Sequence, residues 1–190
     1  MSHKQPSKTI DMTTCKIDAI ELELRNGDIA QQSDIEAVVN AANAQLRMGG
    51  GVAGAIHRAA GPGLEKECRP LAPIKPGEAV ITGAHNLPNL YVIHCLGPVY
   101  GVDRPEDQLL ADCYRNALKL AEKKEISSIA FPAISTGAFG YPIEEAIPLA
   151  IDTITAHAGR LKSLKRIAMV LFSNRDYRAH ENYLNQKFKS

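Results

Sequence analysis

Three stretches carry the residue types able to hold or transform a ligand: Asn40-Ala41-Ala42-Asn43, Gly49-Gly50-Gly51-Val52-Ala53-Gly54, and Ser135-Thr136-Gly137-Ala138-Phe139-Gly140. Glycine leaves backbone N–H groups bare, and such groups at the entry to a helix receive anions. The second stretch fits G-x-G-x-x-G, the pattern of dinucleotide-binding loops. In those loops the glycines follow the strand at once, so that the tight turn aims the helix at a pyrophosphate. Here the apolar run ends near Val39 or Asn40, and Ala41 through Met48 intervene. The spacing argues against a nicotinamide enzyme, and no Gly-Lys-Ser/Thr comes after it to make a P-loop.

The third stretch leaves another apolar run, SSIAFPAI, and leads to Pro142. Its small residues let amides approach a ligand, and Phe139 is placed to stack on a sugar or base. Two glycine-rich, lysine-free loops suggest a diphosphate gripped from both sides by main-chain N–H groups. Neither offers an acidic cluster for magnesium, so binding rather than phosphoryl transfer is expected, with no metal and no cofactor. Asn40 and Asn43 carry both donors and acceptors, suited to ribose hydroxyls and to orienting a water, although local capping is an equally ordinary use of Asn. Asp28, in the turn Asn26-Gly27-Asp28, either caps the next segment of chain or accepts from an exocyclic amine such as that of adenine.

Positioning these loops requires alternating strands and helices. KIDAIELELRNGD alternates as a strand ending at Asn26-Gly27, and IEAVVNAA reads as a strand buried on both faces. GVAGAIHRAAG has helical spacing and stops at Gly61-Pro62. EAVITGA and YVIHCLG are β-rich, EDQLLADCYRNALKLAEKK is an amphipathic helix, and SSIAFPAI is a buried strand. PIEEAIPLAIDTITAHA forms a helix expected to kink at Pro148; RIAMVLFS and DYRAHENYLNQKF close the chain as strand and helix. This alternation predicts an α/β protein, a three-layer α/β/α domain with helices on both faces of its sheet. In such folds ligands bind at the carboxyl ends of the strands.

Composition sets the outer limits. With 190 residues, 45% hydrophobic and 23% charged, the chain is one globular domain over residues 15–190, preceded by a flexible tail at 1–14. A net charge of +1 gives no footprint for sequence-specific nucleic acid. The basic bias after residue 160 reads as a solvated helix face. Four dispersed cysteines argue for neither zinc nor disulfides, and with no apolar leader or membrane-length run they imply a reducing, cytoplasmic location.

Together, GDI at 27–29, VVNAAN at 38–43, GGGVAGAIHRAAGP at 49–62, YVIHCLGP at 91–98 and FPAISTGAFGYP at 131–142 resemble the macro domain family, in its MacroD-type branch. The resemblance spans residues 17 to 185 and implies a mixed sheet flanked by helices, with ADP-ribose or O-acetyl-ADP-ribose as ligand and ADP-ribosylated proteins as partners. It implies that Asp28 and Ile29 meet adenine, that Phe172 stacks on it, and that Gly50, Gly51, Val52 and Ser135, Thr136, Gly137, Ala138 and Phe139 wrap the diphosphate and distal ribose. Asn43, with Asn40 nearby, would meet that ribose, and Asn43 and His57 match residues implicated in hydrolysis of ADP-ribose esters. Relatives of this branch read Gly-Val-Asp-Gly where residues 51–54 read Gly-Val-Ala-Gly. Ala53 is no general base, which leaves a non-catalytic ADP-ribose reader as the alternative. His57, on a helix within an apolar segment, has a structural role as its plainer reading.

Overall fold

A computed structural model describes residues 12–188. Seven strands form one sheet: β1 (Met12–Ile17), β2 (Ile20–Asn26), β3 (Ala37–Ala41), β4 (Ala79–Gly83), β5 (Tyr91–Cys95), β6 (Ser128–Phe131) and β7 (Arg166–Leu171). Their order across the sheet is β1-β2-β7-β6-β3-β5-β4. The inner run β2-β7-β6-β3-β5 is parallel, and β1 and β4 pair antiparallel at the edges, so the sheet is mixed.

Side-chain alternation along the strands divides the core. Leu22, Leu24, Val39, Ile93, Phe131 and Met169 face a layer of α3 (Glu106–Lys123), α4 (Ile143–Ala158) and α5 (Asn174–Phe188). Val38, Val92, Ala130, Ala168 and Val170 face α1 (Gly51–Ala60) and α2 (Pro62–Cys68). Both sides of the central strands are therefore buried, which is why these strands read as unbroken apolar runs. The architecture is the expected three-layer α/β/α arrangement.

Two expectations need correction. KIDAIELEL is not one strand. Asp18 takes φ 51° and turns the chain, so β1 and β2 form a hairpin. Residues 12–14, assigned to the tail, begin β1; residues 1–11 lie outside the described residues. Gly61-Pro62 does end α1, but Pro62 also opens α2, where its missing N–H costs nothing. No helix among the described residues is long and apolar enough to cross a membrane.

Candidate ligand-binding site

All five inner strands point their carboxyl ends to one edge. The loops leaving β3, β5 and β6 meet there around a cavity of about 300 Å³. Its walls are Ala41, Ala42 and Asn43 after β3; Gly49 through Ala53 at the start of α1; Gly97 after β5; and Ala133 to Ser135 with Gly137 to Phe139 after β6. The two glycine-rich loops thus face each other across one space.

Their amides are free to bind. Helix α1 has no side chain capping its N-terminus and no acidic residue in its first turn. Its first internal bond is from the Gly54 N–H to the Gly50 carbonyl at 3.2 Å. Among the described residues the N–H groups of Gly51, Val52 and Ala53 therefore have no protein acceptor, as the first turn of a helix dictates. Gly51 enters the helix at φ 54°, a left-handed conformation that glycine takes without strain. Opposite, Tyr141 N–H donates to the Ser135 carbonyl at 2.9 Å and Gly140 N–H to the Gly137 carbonyl at 3.0 Å. These bonds curl the loop and leave the N–H groups of Gly137, Ala138 and Phe139 without acceptors among the described residues.

No lining residue titrates. The polar side chains of the wall are those of Asn43 and Ser135. Asn43 closes its own loop: its Nδ2 donates to the Arg47 carbonyl at 2.8 Å, and its Oδ1 accepts the Arg47 N–H at 3.0 Å. Ala53, 4% exposed, presents a methyl group.

The sequence-derived candidates separate into three groups. Asn43, Gly50, Gly51, Val52, Ser135, Gly137, Ala138 and Phe139 line the cavity. Asp28, Ile29 and Phe172 lie farther along the same edge, after β2 and β7, whose ends are joined by the Gly27 N–H to Leu171 carbonyl bond at 3.0 Å. There Phe172 is 86% exposed, Ile29 is buried, and the Asp28 carboxylate accepts the Ala30 N–H at 2.8 Å. The loop carrying Asp28 is pinned by Arg25, which binds Glu23 at the floor and Asp34 at the far end. Arg25 holds the Asp34 carboxyl well below its ordinary range.

The third group does not reach the cavity. Thr136 turns its hydroxyl back onto the Ala133 carbonyl at 2.8 Å. Asn40 shares the strand face of Val38 and points under α1 and α2, fully buried. Its Nδ2 donates to His94 Nδ1 at 3.1 Å, so His94 carries its proton on Nε2 and donates to Thr82 Oγ1 at 2.9 Å. Cys68 Sγ lies 3.6 Å from the same Nε2. Burial brings the His94 pKa down to about 3 and raises the Cys68 thiol to about 11. His57 is 2% exposed, and burial lowers its pKa against a smaller opposing pull from Glu65. The imidazoles belong to a sealed polar cluster behind the site.

Sequence reasoning passed over Gly97, Ala41, Ala42, Ala133 and Ile134 as wall residues, and named Ala53 only as the place of a missing aspartate. For Gly97 the signal was its place immediately beyond the carboxyl end of β5. A Cβ there would meet Ser135 Oγ and, at 2.7 Å, Ile134 Cγ2, so the wall tolerates only glycine without rearrangement.

Comparison with known proteins agrees with the resemblance. A family model described as Macro domain matches residues 39–150. A protein of Klebsiella pneumoniae (strain 342) named O-acetyl-ADP-ribose deacetylase is 50% identical over 159 residues, covering 81% of this chain and 90% of its own. The Oceanobacillus iheyensis macrodomain with ADP superposes with a TM-score of 0.91 at 39% identity, over 96% of this chain and 99% of that one. The Trypanosoma brucei macrodomain in complex with ADP-ribose gives a TM-score of 0.81 at 36% identity, over 88% and 71%. This chain belongs to the macro domain family.

Proposed function

We propose that the chain binds ADP-ribose and hydrolyses its esters, either O-acetyl-ADP-ribose or the linkage to acidic side chains of ADP-ribosylated proteins. The carrying observation is the opposed sets of unpaired amides, Gly51 to Ala53 and Gly137 to Phe139, around one cavity. A diphosphate between them receives donors that are fixed before it arrives. The edge running to Asp28, Ile29 and Phe172 supports the adenine end, with the exposed Phe172 ring as stacking platform. Hydrolysis then proceeds with little help from side chains. Water attacks the acyl carbon of the ester and passes a proton to a diphosphate oxygen of the substrate; as the acyl–oxygen bond breaks, that proton is relayed to the departing ribose oxygen, leaving a ribose hydroxyl and a carboxylic acid. Asn43, fixed by Arg47, supports the water's position. Lacking a general base costs roughly 10²- to 10⁴-fold in rate.

The second reading, a non-catalytic reader, is favoured by Ala53 and by the absence of titratable groups from the cavity wall. A single-turnover assay separates the two. With protein in excess, O-acetyl-ADP-ribose or a carboxylate-linked substrate is expected to release ADP-ribose, and Asn43→Ala to slow the release. Binding without release leaves the reader.

A further inference from the structure

The loop after β3 and helix α1 carry charge of one sign. From residue 37 to residue 64 the chain holds two arginines, Arg47 and Arg58, and no acidic residue. Both arginines are exposed, and neither side chain has a hydrogen-bond or carboxylate partner among the described residues. Arg58 follows Gly54 by about one turn on the same face of α1, and helical side chains lean toward the N-terminus. A Cβ on Gly54 would run into the Gly49 carbonyl and, at 2.8 Å, into Arg58 Nη1. The missing side chain therefore lets the guanidinium fold back beside Gly49, a wall residue, while Arg58 itself stays outside the wall. A cation turned toward a helix N-terminus is disfavoured by the dipole, and an anion at the rim relieves it. Met48, 51% exposed between Arg47 and Gly49 in the chain, adds an apolar contact that a peptide can use.

The opposite rim has the other sign. Tyr100, in the loop after β5, donates its N–H to the Phe139 carbonyl at 2.9 Å and its hydroxyl to Glu145 at 3.0 Å. Its ring packs against Tyr141 at 4.9 Å, and Glu106, Asp107 and Glu145 gather around the pair against one cation, Arg104. An acidic chain leaving the cavity is thus repelled from this rim and drawn over α1. Strand order fixes which end of the ligand is concerned. β3 stands three strands from β2, in the order β2-β7-β6-β3, at roughly 4.8 Å per step. With adenine at Asp28 and Phe172, the distal ribose and the group esterified to it meet the end bounded by the β3 loop.

Resting on the ADP-ribose reading, we infer that Arg58, with Arg47 on the same rim, determines specificity for protein-linked ADP-ribose by pairing with acidic residues that flank the modified side chain. The test is calorimetry of the full chain with free ADP-ribose and with two amide-linked ADP-ribosyl peptides, which resist ester hydrolysis. One peptide carries glutamates on both sides of the modified residue, the other glutamines. The unmodified protein is expected to bind the glutamate peptide about tenfold more tightly than the glutamine peptide, each arginine contributing about threefold, the effect of an exposed ion pair. Arg58→Gln should cut that preference to about threefold and Arg58→Glu should abolish it, with free ADP-ribose bound within about twofold by both. Raising the salt concentration should shrink the preference in the unmodified protein. Equal affinity for the two peptides would overturn the proposal. A loss in Arg58→Gln shared by both peptides and free ADP-ribose would make Arg58 a support of the Gly49 loop, which also overturns it, as would equally tight binding of a short single-stranded DNA lacking ADP-ribose. Failure of the unmodified protein to bind free ADP-ribose would instead remove the reading on which the proposal rests.

Discussion

The open cavity and the sealed cluster adjoin along β3, the cavity beyond its carboxyl end and the cluster under α1 and α2. Asn40 points into the cluster, and Ala41, Ala42 and Asn43 form the cavity wall. The cavity is built from main-chain amides and small side chains and contains nothing that titrates. The cluster gathers His94, Thr82, Cys68 and Asn40, with His57 close enough to perturb His94, and is closed to solvent. Residue types with chemical reputations are therefore buried in the fold, while the open wall presents backbone amides. The difference also explains why Ala53 matters: it is the place on the wall where a carboxylate would bring proton chemistry to an otherwise inert surface.

The largest effect should come from adding that group. Ala53 occupies the third position of α1, where a carboxylate is favoured by the helix dipole. Ala53→Asp should raise the single-turnover rate on O-acetyl-ADP-ribose by about 10²- to 10⁴-fold. An unchanged rate would break the contrast between inert wall and missing base. Next, Gly137→Leu should weaken ADP-ribose binding by about 100-fold in calorimetry, or about 2.7 kcal/mol. A Cβ at Gly137 meets nothing within 4 Å, so the variant fills the cavity without disturbing the fold.

Acid should act on the cluster and spare the cavity. The native His94 pKa is about 3 and its unfolded value 6.5, so below pH 6.5 the unfolded chain takes a proton that the native chain refuses. Stability falls as pH falls through that window, by about 2 kcal/mol for His94 between pH 6.5 and pH 5. His57 and His180, both lowered by burial, act in the same direction. Urea unfolding at several pH values measures the loss. ADP-ribose affinity of the folded protein should stay constant over the same range. The smallest effect is expected from His57→Gln, which should leave ADP-ribose affinity within about twofold while lowering the melting temperature through its unpaired burial.

How far the sequence was legible depends on the same contrast. Strand–helix alternation and glycine placement rest on local pattern, and they located the layers, the two loops and the edge they share. The hairpin at Asp18 escaped because KIDAIELEL keeps its alternation through the turn, and a positive φ at Asp leaves no compositional trace. Asn40 and Asn43 look equivalent in VVNAAN, yet a period of two along β3 sends Asn40 under the helices, and that parity is known only once the partner layers are known. His57 carried a structural reading beside its chemical one, and its burial on the inner side of α1 supports the structural one. Gly97 was invisible as a wall residue because its necessity lies in Ser135, far away in sequence.

Amide resonances test the central claim most directly. In an ¹⁵N-edited titration with ADP-ribose, the N–H signals of Gly51, Val52, Ala53, Gly137, Ala138 and Phe139 should shift downfield together as they take up phosphate oxygens, while the ring signals of His57 and His94 stay in place. Saturation by ADP-ribose with those amides unmoved would contradict the account, because the diphosphate would then be held somewhere other than between the two loops.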